Sequence, residues 1–130
     1  MMFVFVLHGQ SGVPVYVQLV QQVKNGIRMG SLRTGDRLPT AKEVVEELAI
    51  NPNTVLKAYR ELEREGLVSP RPGLGTFIQR GLGSASPEIR DRLFGELRTW
   101  MERAKTAGLD DEDIRALFAG AQEASASRSA

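Results

Sequence analysis

The sequence predicts an α+β fold: three short helices closed by a β-hairpin, then, beyond a linker, two more helices. Three observations carry this reading. Apolar residues recur at i, i+3, i+4 and i+7 in successive windows between residues 14 and 66, the period of amphipathic helices. Two short apolar stretches then flank Pro70-Arg71-Pro72-Gly73-Leu74-Gly75, a run of turn formers suited to a hairpin tip. Finally, Gly81-Leu82-Gly83-Ser84-Ala85 breaks the pattern before Ser86-Pro87 restarts a helix.

Each element has its own signals. Phe3-Val4-Phe5-Val6-Leu7 reads as a short strand ended by the turn-forming residues 8 to 12. Pro14 suits a first helical turn, Tyr16, Leu19, Val20, Val23 and Ile27 share one face of the helix that follows, and Gly30 stops it. Residues 32 to 39 are an irregular connection with two arginines, Arg33 and Arg37. Thr40 and Glu43 form a Thr-x-x-Glu capping box for a second helix with Val44, Val45 and Leu48 inward. Asn51-Pro52, an N-cap and a proline at the first helical position, start a third helix with Val55, Ala58, Tyr59 and Leu62 on one side and Gly66 at its end. Residues 67–69 and 76–79 are the hairpin strands, with Phe77 on the inner face. Ser86 caps a fourth helix carrying Ile89, Leu93, Leu97, Trp100, Met101 and Ala104, and Gly108 closes it. Asp110, through Asp113, caps a fifth helix with Ile114, Leu117, Phe118 and Ala121 on one face. These signals divide the chain into a first domain over residues 1–80, a linker over 81–85, a helical pair over 86–123 and a disordered tail over 124–130.

Composition narrows the function classes. An apolar content of 42% with 25% charged residues suits a chain that buries a core. The apolar stretch that includes residues 3 to 7 is too short for a bilayer span or a signal peptide, so a cytoplasmic protein without membrane contact is expected. There is no cysteine and only one histidine, His8, which argues against disulfides and against a metal site; no cofactor is expected. The net charge of +1 hides an asymmetry. Residues 1–80 carry ten Lys or Arg against seven Asp or Glu, whereas residues 81–130 carry seven against nine. The acidic run from Asp110 to Asp113 opens a helix, where negative charge complements the macrodipole. No phosphate loop, serine elbow or metal-ligand spacing accompanies it, so an enzyme is not expected.

Two short helices joined by a few residues, the second opening on small polar and basic groups, are what a helix-turn-helix needs to brace one helix in the major groove. Asn53, Thr54 and Lys57 are its candidate DNA-reading residues: asparagine pairs with adenine, and lysine donates to guanine or phosphate. Asn51 also has a purely structural part as a cap, and on an isolated helix Lys57 and Arg60 would be an ordinary solvated face.

Gly35-Asp36-Arg37-Leu38-Pro39, Asn51-Pro52-Asn53-Thr54-Val55, Lys57-Ala58-Tyr59, Arg64-Glu65-Gly66-Leu67 and Gly73-Leu74-Gly75-Thr76-Phe77, in that order, resemble the GntR family of bacterial transcription regulators over about residues 13 to 80. The Asn-Pro-Asn-Thr-Val and Lys-Ala-Tyr runs with a tail of only about 50 residues are similar to the YtrA subfamily, whose members dimerise through two C-terminal helices. The resemblance implies a winged helix-turn-helix DNA-binding domain followed by a two-helix C-terminal dimerisation element. It implies a homodimeric repressor of double-stranded DNA at a palindromic operator, controlling an operon that can include transporter genes. It places Arg33, Lys42, Asn51, Asn53, Thr54, Lys57, Arg71 and Gly75 at or near DNA. Where many relatives have Ser-x-Arg-Glu, this chain has Thr40-Ala41-Lys42-Glu43; lysine lacks the arginine fork, which leaves base or phosphate open as the partner of Lys42.

The fourth and fifth helices cannot cover both apolar faces as an isolated pair. Ile89, Leu93, Leu97, Trp100, Met101, Ile114, Leu117 and Phe118 are therefore the expected dimer interface. A tail this short does not suggest an enclosed effector pocket. The rival reading is a winged-helix module that binds protein without DNA.

Overall fold

The computed structural model describes residues 3–9, 12–83 and 85–129. The chain divides into two units, Met1–Ser84 and Ala85–Ala130.

The first unit is built on helix α1 (Val15–Met29), whose buried face of Leu19, Val20, Val23 and Ile27 lies along helix α3 (Pro52–Arg64). Helix α2 (Ala41–Leu48) packs on α3 from its own side. The capping box is formed: Thr40 Oγ1 accepts from the Glu43 amide at 3.1 Å, and Glu43 Oε1 accepts from the Thr40 amide at 3.1 Å. At the head of α3 the Asn51 side chain accepts from the Asn53 amide at 2.8 Å, with Pro52 in the first turn. Both caps join groups two or three residues apart, so they form as soon as the local chain bends. Between α2 and α3, Ala49 adopts φ 54°, a left-handed conformation that costs a non-glycine residue about 1–2 kcal/mol. A buried link ties the chain entering α2 to the middle of α3: the Tyr59 hydroxyl donates to the Pro39 carbonyl at 2.5 Å, and burial pushes the phenol's pKa up, with Glu43 adding to the effect.

Strands β1 (Val68–Arg71) and β2 (Gly75–Ile78) form an antiparallel hairpin in which Val68 faces Ile78 and Arg71 faces Gly75. The strands extend further toward the tip than the expected 67–69 and 76–79. The pairing tolerates Pro70 because β1 is an edge strand, where a missing donor costs no ladder bond. The connection expected to be irregular docks on the other side of β2. Arg37 bridges to Phe77, the Leu38 amide donates to Thr76 O at 2.8 Å, and the Ile78 amide donates to Asp36 O at 2.8 Å. Leu38, Val44, Val55, Leu62, Leu67, Val68 and Ile78 close the core.

The expected strand over residues 3–7 is not one. The segment is extended and keeps a two-residue alternation, with Phe5 buried and Val4 and Val6 exposed, but its partners are side chains. Gln18 and Gln22, one turn apart on α1, meet the backbone of His8 and Val6. The Gln22 amide donates to the Val6 carbonyl, and Gln22 Oε1 accepts from the Val6 N–H at 2.9 Å. Gln18 does the same for His8 and also donates to Val13 O at 2.9 Å. Two glutamines at helical spacing thus match alternate residues of an extended chain. Gly26 leaves room beside them, since a Cβ there would come within 2.9 Å of Leu32 and 3.1 Å of the Phe3 ring.

The second unit holds helices α4 (Pro87–Thr106) and α5 (Asp111–Ser129). Ser86 Oγ accepts from the Ile89 amide, and Asp110 and Asp113 cap each other reciprocally at 3.0 and 2.8 Å. The expected disordered tail over 124–130 is corrected as far as it is described. Helix α5 continues to Ser129, through a run of alanines and serines that supports a helix without any apolar pattern to announce it; Ala130 lies outside the described residues. The two helices approach only around their turn, where Ala104 and Ile114 are buried and the Leu109 amide donates to Ala104 O. Beyond it, every residue from Arg115 to Arg128 is exposed.

Candidate nucleic-acid interface

The inward face of α3 is fixed by Val55, Ala58, Tyr59 and Leu62, all in the core. At about 100° per residue, the opposite face must then carry Asn53, Lys57, Arg60 and Arg64, and all four are exposed. Thr54 sits on the flank and is half-buried. The helix thus presents one amide and three cations outward along its length, from Asn53 in the first turn to Arg64 at the C-terminal end.

These cations are not equivalent. Arg64 is held in its own helix by Glu61, with Nε donating to Oε2 at 3.0 Å and a second contact to Oε1. That pairing lowers the Glu61 pKa and raises that of Arg64. Lys57 places its ammonium 4.0 Å from the centre of the Tyr16 ring of α1. Arg60 and Lys42 meet no carboxylate among the described residues. Lys24, behind this face, pairs with Glu65 at 2.8 Å.

The structure places Asn51, Asn53, Thr54 and Lys57 together at the head of α3, and Lys42 exposed in the first turn of α2. Arg71 is exposed at the hairpin tip with its guanidinium 4.5 Å from the Phe77 ring centre, so the charged group rests on the sheet. Gly75 has φ 123°, and a Cβ there would come within 3.2 Å of the Arg37 side chain. The positive φ is what calls for glycine there, and Arg37 passes close over it toward Glu43 at 3.7 Å. Arg33 is not with the α3 group. It lies in a surface hollow with Phe3, Leu32, Asp36 and Arg37, and its backbone amide donates to Asp36 at 2.8 Å.

Arg37 and Arg60 stand out here, although the sequence reading gave them no site. For Arg60 the signal was available, because it follows Lys57 by three residues and Asn53 by seven. For Arg37 it was not, since nothing local shows that the connection would lie against β2. In the second unit Ile89, Leu93, Leu97, Trp100, Leu117 and Phe118 are exposed, Met101 is half-buried and Ile114 is buried by the unit itself; Phe94, which the reading missed, is exposed beside them. Among the described residues no group of acidic or histidine side chains is placed to hold a metal ion, and no helix is long and apolar enough to cross a membrane.

Residues 15–78 match the family described as bacterial regulatory proteins, gntR family. The chain is similar to the HTH-type transcriptional repressor YtrA of Bacillus subtilis, 36% identical over 106 residues that cover 81% of this chain and 82% of that protein. Among solved structures, a transcriptional antiterminator from Listeria monocytogenes aligns over 94% of this chain and 92% of its own, with a TM-score of 0.60 and 29% identity. YtrA from Sulfolobus acidocaldarius, a GntR-family transcription factor, aligns over 92% and 97%, with a TM-score of 0.53 and 25% identity.

Proposed function

This chain belongs to the GntR family of bacterial regulatory proteins and is a transcriptional regulator with a DNA-binding domain, and from that premise we propose that it is a homodimeric repressor acting on a palindromic operator. The observation that carries the proposal is the outward face of α3. Asn53, Lys57 and Arg60 project from a helix whose reverse side is locked into the core by Val55, Tyr59 and Leu62, so the reading groups sit on a rigid support.

In this reading α3 enters the major groove, with Asn53 and Lys57 at base edges and Asn51, Thr54 and Lys42 around them. Arg71, pinned over Phe77 at the wing tip, meets the backbone or the minor groove beside it. Gly75 acts at one remove, by supplying the positive φ of the wing tip, and Arg33 contributes positive charge at the edge of the domain. The apolar stripe of α4 and α5 supplies the second subunit's contact, which sets two α3 helices about 34 Å apart, one turn of DNA. The protein works in the cytoplasm, without cofactor, and by the subfamily likeness its operon includes a transporter.

The test is selection of bound sites from a random DNA pool, followed by titration of the selected site at several salt concentrations. The expected result is an inverted repeat with half-site centres about ten base pairs apart and an affinity that falls steeply with salt. Recovery of no sequence preference and no salt-dependent binding would leave a protein-binding winged helix as the better description.

A further inference from the structure

One feature of the α3 face has no structural explanation. Leu56 is 39% exposed, belongs neither to the core nor to the partly buried apolar residues packed around it, and stands on a face otherwise made of Asn53, Lys57, Arg60, Glu63 and Arg64. Helix propensity does not ask for it, because Arg, Lys or Gln would serve an exposed helical site as well as Leu. It follows Asn53 by three residues and precedes Arg60 by four, so the three side chains are neighbours on the helix surface. It is also on the flank away from the groove between α1 and α3, which Lys57, Glu61 and Glu65 line. A lone surface leucine elsewhere would mean little; this one lies between Asn53 and Arg60 on the outward side of α3.

Resting on the reading of α3 as the DNA-reading helix, we propose that Leu56 is a specificity-determining residue that packs on the C5-methyl group of one thymine in each half-site. The thymine methyl is the apolar group that the major groove displays, apolar side chains are what contact it, and the isobutyl group of leucine is one long enough to reach out from the helix. The same side chain rejects cytosine at that position. Cytosine lacks the methyl and presents an amino donor that leucine leaves unpaired.

The experiment uses the full chain and the operator recovered by site selection. Each thymine of a half-site is replaced in turn by deoxyuridine, which keeps the base pair and removes only the methyl. The expected result is one thymine per half-site whose replacement lowers wild-type affinity about fourfold, the equivalent of one buried methyl group. Leu56→Ala, an exposed change to the best helix former, should fold as the parent and bind thymine and deoxyuridine operators equally well. Specific operator binding by the wild type with no sensitivity to any deoxyuridine overturns the role of Leu56 while leaving the DNA-reading helix intact, as does a Leu56→Ala protein that keeps the wild-type penalty. A wild type that binds no selected site overturns both.

Discussion

The ammonium of Lys57 rests on the Tyr16 ring, and the strength of that contact decides whether it competes with DNA. An exposed cation–π pair is worth about 0.5–1 kcal/mol, whereas a good base contact supplies about 1–3 kcal/mol, so the lysine leaves the ring when a base or phosphate is in reach. Asn53 has no such restraint on its side chain, since it is its backbone amide that bonds Asn51. Replacing Asn53 or Lys57 with Ala is therefore expected to cost about 1–3 kcal/mol on the selected operator and less on random DNA. Fluorescence anisotropy at fixed salt measures both, and two variants that bind the operator like the parent would remove α3 from the groove. Arg64 is a different case, because Glu61 already neutralises it within the helix.

At the scale of an element, the capping box of α2 and the hairpin each couple local chemistry to function. The Glu43 carboxylate accepts from the Thr40 amide, with the Thr40 hydroxyl and then Arg37 nearby, and its pKa is held below the ordinary 4.5. The native state therefore binds fewer protons than the unfolded chain in the window just below 4.5. The resulting stability is fully present above 4.5 and disappears as the pH falls through the lowered value. Glu43→Gln keeps both capping hydrogen bonds but removes the charge. It should be less stable than the parent near neutrality and approach it on acidification, so that it loses less stability between the two, which denaturant titrations at about pH 7 and about pH 3.5 compare; an acid limb as steep as the parent's would trace it to other carboxylates. In the hairpin, two prolines flank Arg71 and restrict its backbone, while its guanidinium rests on the Phe77 ring and, like the Lys57 ammonium, gives up an exposed cation–π contact of about 0.5–1 kcal/mol when phosphate is in reach. Arg71→Ala should weaken specific and random DNA alike and reduce the magnitude of the salt slope by about one. An unchanged slope takes the wing tip out of the interface.

For the whole molecule, the second unit poses the larger energetic question. Ile89, Leu93, Phe94, Leu97, Trp100, Leu117 and Phe118 are exposed on helices that touch only near their turn. Burying each such side chain against another chain is worth about 1.5–3 kcal/mol before ordering costs, and several together exceed the cost of association. The first unit has its own closed core, and Leu82 still packs against it. A fragment ending at Leu82 is thus expected to keep its fold, sediment as a monomer and bind a half-site weakly, because the second reading head no longer acts at high effective concentration. Leu97→Asp in the full chain should also give a monomer by placing a charge in the contact. A truncated protein that remains dimeric with full operator affinity would move the interface to the extended segment of residues 3–9, where Val4 and Val6 are exposed.

Helix starts were legible from residues alone. Thr40 with Glu43, Asn51 with Pro52, Ser86 with Pro87 and Asp110 with Asp113 satisfy backbone amides two or three positions away, and the 3.6-residue period then assigns Val55, Ala58, Tyr59 and Leu62 to the core and Asn53 and Lys57 to the outside. Tertiary structure decided what local patterns leave unspecified. The alternation in residues 3–7 announces an extended chain equally well whether its partner is a strand or, as here, Gln18 and Gln22 of a helix. Residues 35–38 look irregular because their partners on β2 are some forty positions away, and the approach of Arg37 to Gly75 appears only once that connection lies against β2. Equally, the apolar stripe of α4 shows that a partner surface is needed, while only the separation of α4 from α5 shows how little of it the chain itself provides. Hydrogen bonds and contacts between distant segments leave no periodic trace in either segment, so they enter only when the chain is folded.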